Sequence, residues 1–277
     1  MTTSVINLLK CPICGEICQT DEPQKRCFCA GVKQHSFDFS KSGYLNLCMT
    51  SKFGDNKDSV RARSKFLEAG YYFPLANEIN NILSELRVQS VLDAGCGEGY
   101  YTNYMTEVCK TVFGADLSKD GIDKAAKTAK QKQNNAAFAV ASLFELPVQD
   151  SSFDAVTNIF APCGEEEFQR VLKDGGYLIL VGAGKEHLMG LKRLLYETPY
   201  FNPERNDLPQ AMKLLEKRNL KQNISVIGKD TLLALFSMTP YYWRTSEADK
   251  AKLTTADSLD TEIDFDIYIY QKDGCAK

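Results

Sequence analysis

Two stretches hold the residues best suited to chemistry. In VLDAGCGEGYYT an apolar run leads directly into Gly95, Gly97 and Gly99 and then into a helix start. Residues without a β-carbon let the backbone come close to a ligand at the carboxyl end of a strand, which is where nucleotide-type cofactors sit. A dinucleotide fingerprint would need a third glycine at position 100, where the chain has Tyr100. The loop carries Glu98 instead, a charge that repels a pyrophosphate and favours a cation. S-Adenosylmethionine, with a sulfonium, an ammonium and no phosphate, fits that preference. Asp116 ends the next apolar run, 21 residues after Gly95, where a carboxylate can accept hydrogen bonds from both ribose hydroxyls. Asp93 either touches the cofactor or holds the loop through hydrogen bonds to backbone amides.

The second stretch is cysteine-rich. Cys11, Cys14, Cys18, Cys27, Cys29 and Cys48 crowd the start of the chain, while Cys96, Cys109, Cys163 and Cys275 are scattered. In a reducing compartment such crowding implies metal rather than disulfides. Cys11-Pro12-Ile13-Cys14-Gly15 is a knuckle, two thiolates gripping one zinc ion from a tight turn. CFCAGVKQHSFD offers the second pair. Cys11, Cys14, Cys29 and His35 form the preferred set, with Cys27 in reserve and Cys18 left out for want of a partner at knuckle spacing. Roughly 40 residues cannot build a stable core alone, so the metal would be structural and would supply folding energy.

The elements that must position these groups follow from hydrophobic patterning. Short apolar runs at Ser90–Ala94, Thr111–Asp116, Ala136–Val140, Ala155–Phe160 and Tyr177–Val181 alternate with helical stretches at Tyr100–Lys110 and Gly121–Lys132. That alternation predicts a parallel sheet with crossover helices, an α/β doubly wound Rossmann-like fold. Asp150-Ser151-Ser152 and Asp174-Gly175-Gly176 supply turns ahead of the fourth and fifth strands. The period-2 pattern from Ile263 to Tyr270 predicts one more strand, polar on one face and therefore at an edge or antiparallel. Helices are expected over Ser59–Leu67 and Leu75–Leu86, ahead of the sheet.

The 277 residues, 44% of them hydrophobic and 25% charged, have the balance of a globular protein with ample core. The net charge of −3 argues against a surface coated in basic residues for nucleic acid, but residues 1–70 alone carry +3, so a polyanionic partner is expected to meet the N-terminal part. No run approaches the roughly 18 to 20 apolar residues that span a bilayer, and Met1–Lys10 lacks the features of a signal peptide, which predicts a cytoplasmic protein with no membrane partner.

With both motifs in view, the chain resembles the 23S ribosomal RNA guanine-N1 methyltransferases of the RlmA/RrmA type. CPIC, HSFDFSKSGYLNL, ARSKFLEAGYY, VLDAGCGEGYYT, NIFAPC, KEHLMGLK and MTPYYWR carry the likeness nearly from end to end. The resemblance implies a class I methyltransferase that transfers a methyl group to N1 of a guanine in a domain II stem-loop near the macrolide-binding exit tunnel. It places zinc on Cys11, Cys14, Cys29 and His35, and S-adenosylmethionine at Tyr72, Gly97, Glu98 and His187. It also implies a homodimer. The family usually has C-x3-H as its second ligand pair, whereas Cys29 and His35 stand six apart here, with Cys27 before them. The implied division is a zinc-binding RNA-recognition module over residues 1–40, a helical linker contributing to the cofactor site over 41–85, and the methyltransferase domain over 86–277. Read without the family, Tyr72 is a half-buried packing residue and His187 a solvated histidine at a helix start.

Guanine N1 lies on the Watson–Crick edge, so the base must leave its stack to react. Asn158 is placed to hydrogen-bond that edge and Phe160 to stack on it, with ordinary strand-end packing as the competing role. Cys163 has no histidine near it in sequence and is not expected to act as a nucleophile. Lys52, Lys57, Arg61, Arg63 and Lys65 are candidate phosphate contacts. Lys124, Lys127, Lys130 and Lys132 read as a solvated helix face. Two other functions compete: a small-molecule methyltransferase, which has no need of a basic zinc module, and a non-enzymatic nucleic-acid-binding protein, which has no need of an intact cofactor loop.

Overall fold

The computed structural model describes residues 3–21, 26–49 and 54–274; Lys52 and Cys275 lie outside them. The chain opens with α1 (Thr3–Ile6) and a three-stranded antiparallel sheet of β1 (Cys18–Thr20), β2 (Arg26–Cys29) and β3 (Ser36–Asp38). Next come β4 (Leu45–Asn46), α2 (Lys57–Glu68) and α3 (Phe73–Glu85). An alternating stretch then supplies β5 (Ser90–Ala94), α4 (Tyr100–Met105), β6 (Thr111–Asp116), α5 (Lys119–Lys132), β7 (Ala137–Val140), β8 (Phe153–Ile159), α6 (Glu165–Val171) and β9 (Leu172–Ala183). The last elements are α7 (Met189–Leu195), β10 (Lys213–Ile227), α8 (Lys229–Ser237), α9 (Glu247–Thr255) and β11 (Ser258–Gln271).

The second sheet has eight strands in the order β10, β11, β9, β8, β5, β6, β7, β4. From β4 to β9 every pairing is parallel, and β11 runs antiparallel between β9 and β10. This is the doubly wound class I methyltransferase arrangement. The chain steps outward from β5 to β6 and β7, then returns across β5 to β8. Ligands bind at such a reversal, outside the carboxyl ends of the strands. The glycine loop and the Asn158–Cys163 segment leave the sheet on either side of it.

Local chemistry sets the helix ends. Asn56 caps α2 by accepting from the amides of Asp58 and Ser59, and Ser118 caps α5 by accepting from Gly121. Pro74 sits in the first turn of α3, where its missing N–H costs nothing. Ala125, Ala126 and Ala129 let α5 lie close to the sheet. α4 is shorter than its pattern predicts and ends at Met105.

The strand over Ile263–Tyr270 is antiparallel as expected, but it is interior and not an edge: β10 covers its outer side over 14 register pairs. Its polar face is buried as well. Asp264 is 4% exposed because Asn219 Nδ2 and the Glu186 amide both donate to its carboxylate. β10 is the true edge, its charged side chains largely exposed.

Apolar side chains fill both faces of the sheet. On one face Phe66, Leu75, Ile79 and Ile82 pack with Ile263, Phe265 and Ile267. On the other, Val5, Ile6, Leu9, Cys11, Cys18, Cys27 and Cys29 share a core with Phe113, Phe153, Phe168 and Tyr268. The cysteine-rich segment is thus part of the main core. An antiparallel bridge between Leu9 and Val148 and a hydrogen bond from the Gln149 amide to the Leu8 carbonyl fasten it there. Among the described residues no helix is long and apolar enough to cross a membrane.

Leu9 is fully buried at this junction. Leu9→Ala is expected to destabilise the whole protein by about 2–5 kcal/mol in urea unfolding, in one transition. Two separate transitions would show that the cysteine-rich segment folds on its own.

Candidate cofactor and acceptor site

Gly95, Gly97 and Gly99 all adopt left-handed backbone, at φ +85°, +54° and +70°. A β-carbon on Gly95 would lie 2.4 Å from Cβ of Ala161, so the glycine loop and the segment after β8 approach each other closely. Asp116 ties the loop to α5. Its Oδ2 accepts from the Gly97 amide at 3.0 Å and its Oδ1 from the Ser118 amide at 2.7 Å, while burial raises its pKa against those bonds. Each oxygen keeps a second lone pair, the acceptors a ribose diol requires.

Asp93 is 1% exposed and bonds to side-chain hydroxyls, Thr102 at 2.5 Å and Thr157 at 3.0 Å, where the sequence reading had offered backbone amides. Burial raises its carboxyl to about 6 even so. It fastens the start of α4 and the middle of β8 to β5. Asn158 is fully buried, and its Nδ2 donates to the carbonyls of Ala94 and Pro162 at 3.0 and 3.2 Å. Two carbonyls facing that nitrogen fix the amide's orientation. Oδ1 is buried and has no partner among the described residues. The side chain braces the acceptor segment and leaves one acceptor free.

Tyr72, before α3, and His187, before α7, are 115 residues apart in sequence and meet at 3.1 Å, Oη to Nε2. Nδ1 of His187 accepts from the Asp264 amide at 3.2 Å, so the ring proton is on Nε2 and Nε2 donates to Tyr72. Both side chains are buried, so the half-buried tyrosine and the solvated histidine of the sequence reading are corrected. Burial drives the imidazole down to about 3, with Asp264 opposing and Lys192 reinforcing the shift. Phe160 covers the pair from outside. It is 45% exposed at φ +55°, with ring centroids 6.3 Å from His187, 6.4 Å from Tyr72 and 5.6 Å from Phe265. An exposed aromatic ring held in strained backbone at the carboxyl edge is placed to meet a ligand.

The segment leading into α2 lies across the same edge. Ser118 Oγ donates to the Asp55 carbonyl at 2.6 Å, and Arg63 forms ion pairs with Asp55 and with Glu98, the latter at 3.2 Å. Arg63 is therefore engaged at the cofactor loop, which removes it from the phosphate contacts expected of it. A glutamate inside a glycine loop requires a nearby cation once buried, and that requirement was the signal pointing to Arg63. Lys65 pairs with Asp230 at 2.8 Å. Lys57 and Arg61 are exposed and have no partner among the described residues. On α5, Lys124 and Lys127 pair with Glu68 and Asp123, and Lys132 lies over the Tyr104 ring, as a solvated face would. Burial holds the Cys163 thiol up at about 11, protonated and unsuited to attack.

At the other end of the chain, ligand atoms of Cys11, Cys14, Cys29 and His35 all lie within 4.8 Å of one another. Sγ of Cys14 and Cys29 are 3.6 Å apart, and His35 Nδ1 is 3.6 Å from Cys11 Sγ and 3.5 Å from Cys29 Sγ. A tetrahedral zinc with bonds of roughly 2.3 Å to sulfur and 2.0 Å to nitrogen has edges of about 3.5 to 3.8 Å, so the group fits the ion. Amides of Ile13 and His35 donate to Cys11 and Cys29, and the His35 amide is the main cause of a Cys29 thiol lowered to about 6. Cys27 lies outside this group and is fully buried in the core beside the sheet.

Residues 92–180 match the family described as Methyltransferase domain. YxjB of Bacillus subtilis (strain 168), provisionally named a 23S rRNA (guanine-N(1)-)-methyltransferase, is 30% identical over 96% of this chain and 98% of its own. The 23S rRNA (guanine(748)-N(1))-methyltransferase of Streptomyces fradiae is 30% identical over 69% of each chain. A Micromonospora griseorubida protein, provisionally named like YxjB, is 30% identical over 89% of each. The chain belongs to the 23S rRNA guanine-N1 methyltransferase family. The span shared with YxjB covers 96% of the chain, so the likeness extends well beyond residues 92–180.

The family's fold uses S-adenosylmethionine, and the loop fits it. Glu98 Oε1 is buried without a donor among the described residues, the atom an ammonium would satisfy, and burial raises the Glu98 pKa while Arg63 lowers it.

The buried, neutral His187 has a measurable consequence. Folded, it takes a proton only near pH 3; unfolded, near 6.5. Between those values the unfolded state binds more protons, so stability falls as pH drops through that window. Thermal melts of the wild type should therefore lose more between pH 7 and pH 5 than those of His187→Gln. Equal acid sensitivity would mean that His187 is not held neutral.

Proposed function

We propose that this protein methylates N1 of a guanine in 23S ribosomal RNA, with S-adenosylmethionine as cofactor and one structural zinc ion on Cys11, Cys14, Cys29 and His35. The observation that carries the reading is the match to YxjB over 96% of the chain, since a cofactor loop alone leaves the acceptor open. A domain II stem-loop near the macrolide-binding exit tunnel, a cytoplasmic location and a homodimer belong to the same reading.

The cofactor supplies an electrophilic methyl group on a sulfonium, so the leaving group is already activated. The chain's work is then alignment, which can lower a barrier by ~7 to 11 kcal/mol. Gly95, Gly97, Glu98 and Asp116 hold the cofactor's polar ends, and Tyr72, His187 and Phe265 form the apolar wall behind Phe160. An unstacked guanine replaces its lost neighbours with the exposed Phe160 ring, an exchange of about 1–3 kcal/mol for a base on an aromatic side chain. Asn158 holds Pro162 and Ala94 so that this ring stays over the site. Lys57 and Arg61 contribute phosphate contacts.

Comparison of 23S ribosomal RNA from cells with and without the gene, by mass mapping, should show the loss of one N1-methylguanine; an unchanged map rules the reading out. Phe160→Ala should reduce methylation of a ribosomal RNA fragment at least tenfold while leaving cofactor affinity within about threefold. RNA affinity should fall steeply with salt, and Arg61→Ala should reduce that salt slope by about one.

Metal analysis tests the zinc assignment independently. The purified protein should hold about one zinc per chain, lost in Cys11→Ser, Cys14→Ser and Cys29→Ser and kept in Cys27→Ser. Loss of zinc from Cys27→Ser with retention in Cys29→Ser would reverse the assignment.

A further inference from the structure

We propose that Arg63 binds the carboxylate of the cofactor's amino-acid head group, so that Arg63 and Glu98 together form a receptor for a zwitterion. The proposal rests on S-adenosylmethionine being the cofactor and deepens that reading by assigning a residue to the head-group charge still without a partner.

The guanidinium lies directly on the glycine loop. Its Nη1 is 3.3 Å from the point where a β-carbon on Gly97 would stand, so the missing side chain keeps that space open. Nη1 donates to Glu98 Oε2 and Nη2 to Asp55 Oδ2. These use two of the five N–H donors a guanidinium carries, and the other three have no partner among the described residues. The side chain is 27% exposed, leaving the group accessible from one side, while Glu98 is 5% exposed with Oε1 unpaired among the described residues.

Charge supports the same assignment. Asp55, Glu98 and Arg63 sum to −1. Asp116, bonded to the same loop, adds a further negative charge, and S-adenosylmethionine carries a sulfonium, an ammonium and a carboxylate, sum +1, so its binding offsets part of the site's negative charge. An ammonium on Oε1 and a carboxylate on the free edge of the guanidinium continue the ion-pair chain without burying an unpaired charge. A planar fork suits that carboxylate better than an ammonium side chain would. An RNA phosphodiester is a poor alternative partner, because it sets a negative charge beside two carboxylates and brings no ammonium to satisfy Glu98 Oε1.

If Arg63 served only to clasp α2 to the loop, removing it would weaken every cofactor-like ligand alike. Isothermal calorimetry with two ligands separates the cases. S-Adenosylhomocysteine has both head-group charges, and S-adenosyl-3-thiopropylamine has the ammonium without the carboxylate. Wild type should prefer S-adenosylhomocysteine by about 10- to 100-fold, the range expected of hydrogen bonds to a charged group. Arg63→Ala should bring that preference within about threefold. Arg63→Gln, which still donates to Glu98 but carries no charge, provides the same measurement should the alanine variant not fold. A preference unchanged in the variants, or a wild type that binds both ligands equally, overturns the proposal. A wild type that binds neither ligand overturns the cofactor reading itself.

Discussion

A carboxylate removed from water must be given a positive partner, and the burial of Glu98 imposes that demand at the centre of this molecule. Arg63 meets it from α2, some 35 residues earlier in the chain. The pair therefore decides where α2 lies. Once Arg63 is anchored, Asp55 follows it to the Ser118 cap of α5, and Phe66 and Leu67 are carried into the core beside Tyr72. Tyr72 then stands within reach of His187, and Phe160 closes over both. Breaking a buried ion pair on one side leaves an uncompensated charge, at a cost of several kcal/mol, so the geometry of the whole carboxyl edge is linked to this contact.

Sequence patterning reveals the middle of the fold because buried parallel strands need apolar residues on both faces. Ser90–Ala94 and Thr111–Asp116 come out with the bounds that patterning predicts. β10 escapes the same reasoning for the opposite physical reason: as a solvated edge, Lys213–Ile227 has no face that must be apolar, so its sequence looks like a polar loop. The placement of β11 is half legible for the same reason: it is antiparallel as expected, but a strand whose outer neighbour is invisible also reads as an edge. Asp264 and Asp266 reinforce the error, being polar residues that the neighbouring Asn219 makes tolerable in a covered strand.

Site residues divide along similar lines. The glycines announce themselves because left-handed backbone restricts the choice of residue, and Asp116 because the distance from glycine loop to second strand is fixed by the intervening helix. Cys27 and Cys29 could not be ranked from spacing, since residues two apart on a strand point to the same face. The β2–β3 hairpin decides between them: Phe28 pairs with Ser36, which puts Cys29 opposite His35 and brings the His35 amide to 3.1 Å from its sulfur. The six-residue separation that departs from the family's usual pair is the length of that hairpin. No local pattern predicts the Tyr72–His187 contact, because the sheet and two helix starts assemble it from distant segments. Arg63 was misplaced because a basic residue among basic residues looks like surface, and only the burial of Glu98 shows otherwise.

The sequence alone suggests that the cysteine cluster and the methyltransferase sheet are separate modules, one for recognition and one for chemistry. Here the packing joins them. Cys11 and Cys29 line the same core as Phe113, Ala94 and Leu92, and Ala94 immediately precedes the glycine loop. An ion that orders the cluster therefore also completes one face of the sheet that carries the cofactor site, while α2, held by Glu98, completes the other. The acceptor segment at Phe160 lies where the chain crosses between the two. The cysteine-rich segment thus shares its core with the strand that carries the glycine loop, and side-chain packing, not a linker, joins the two.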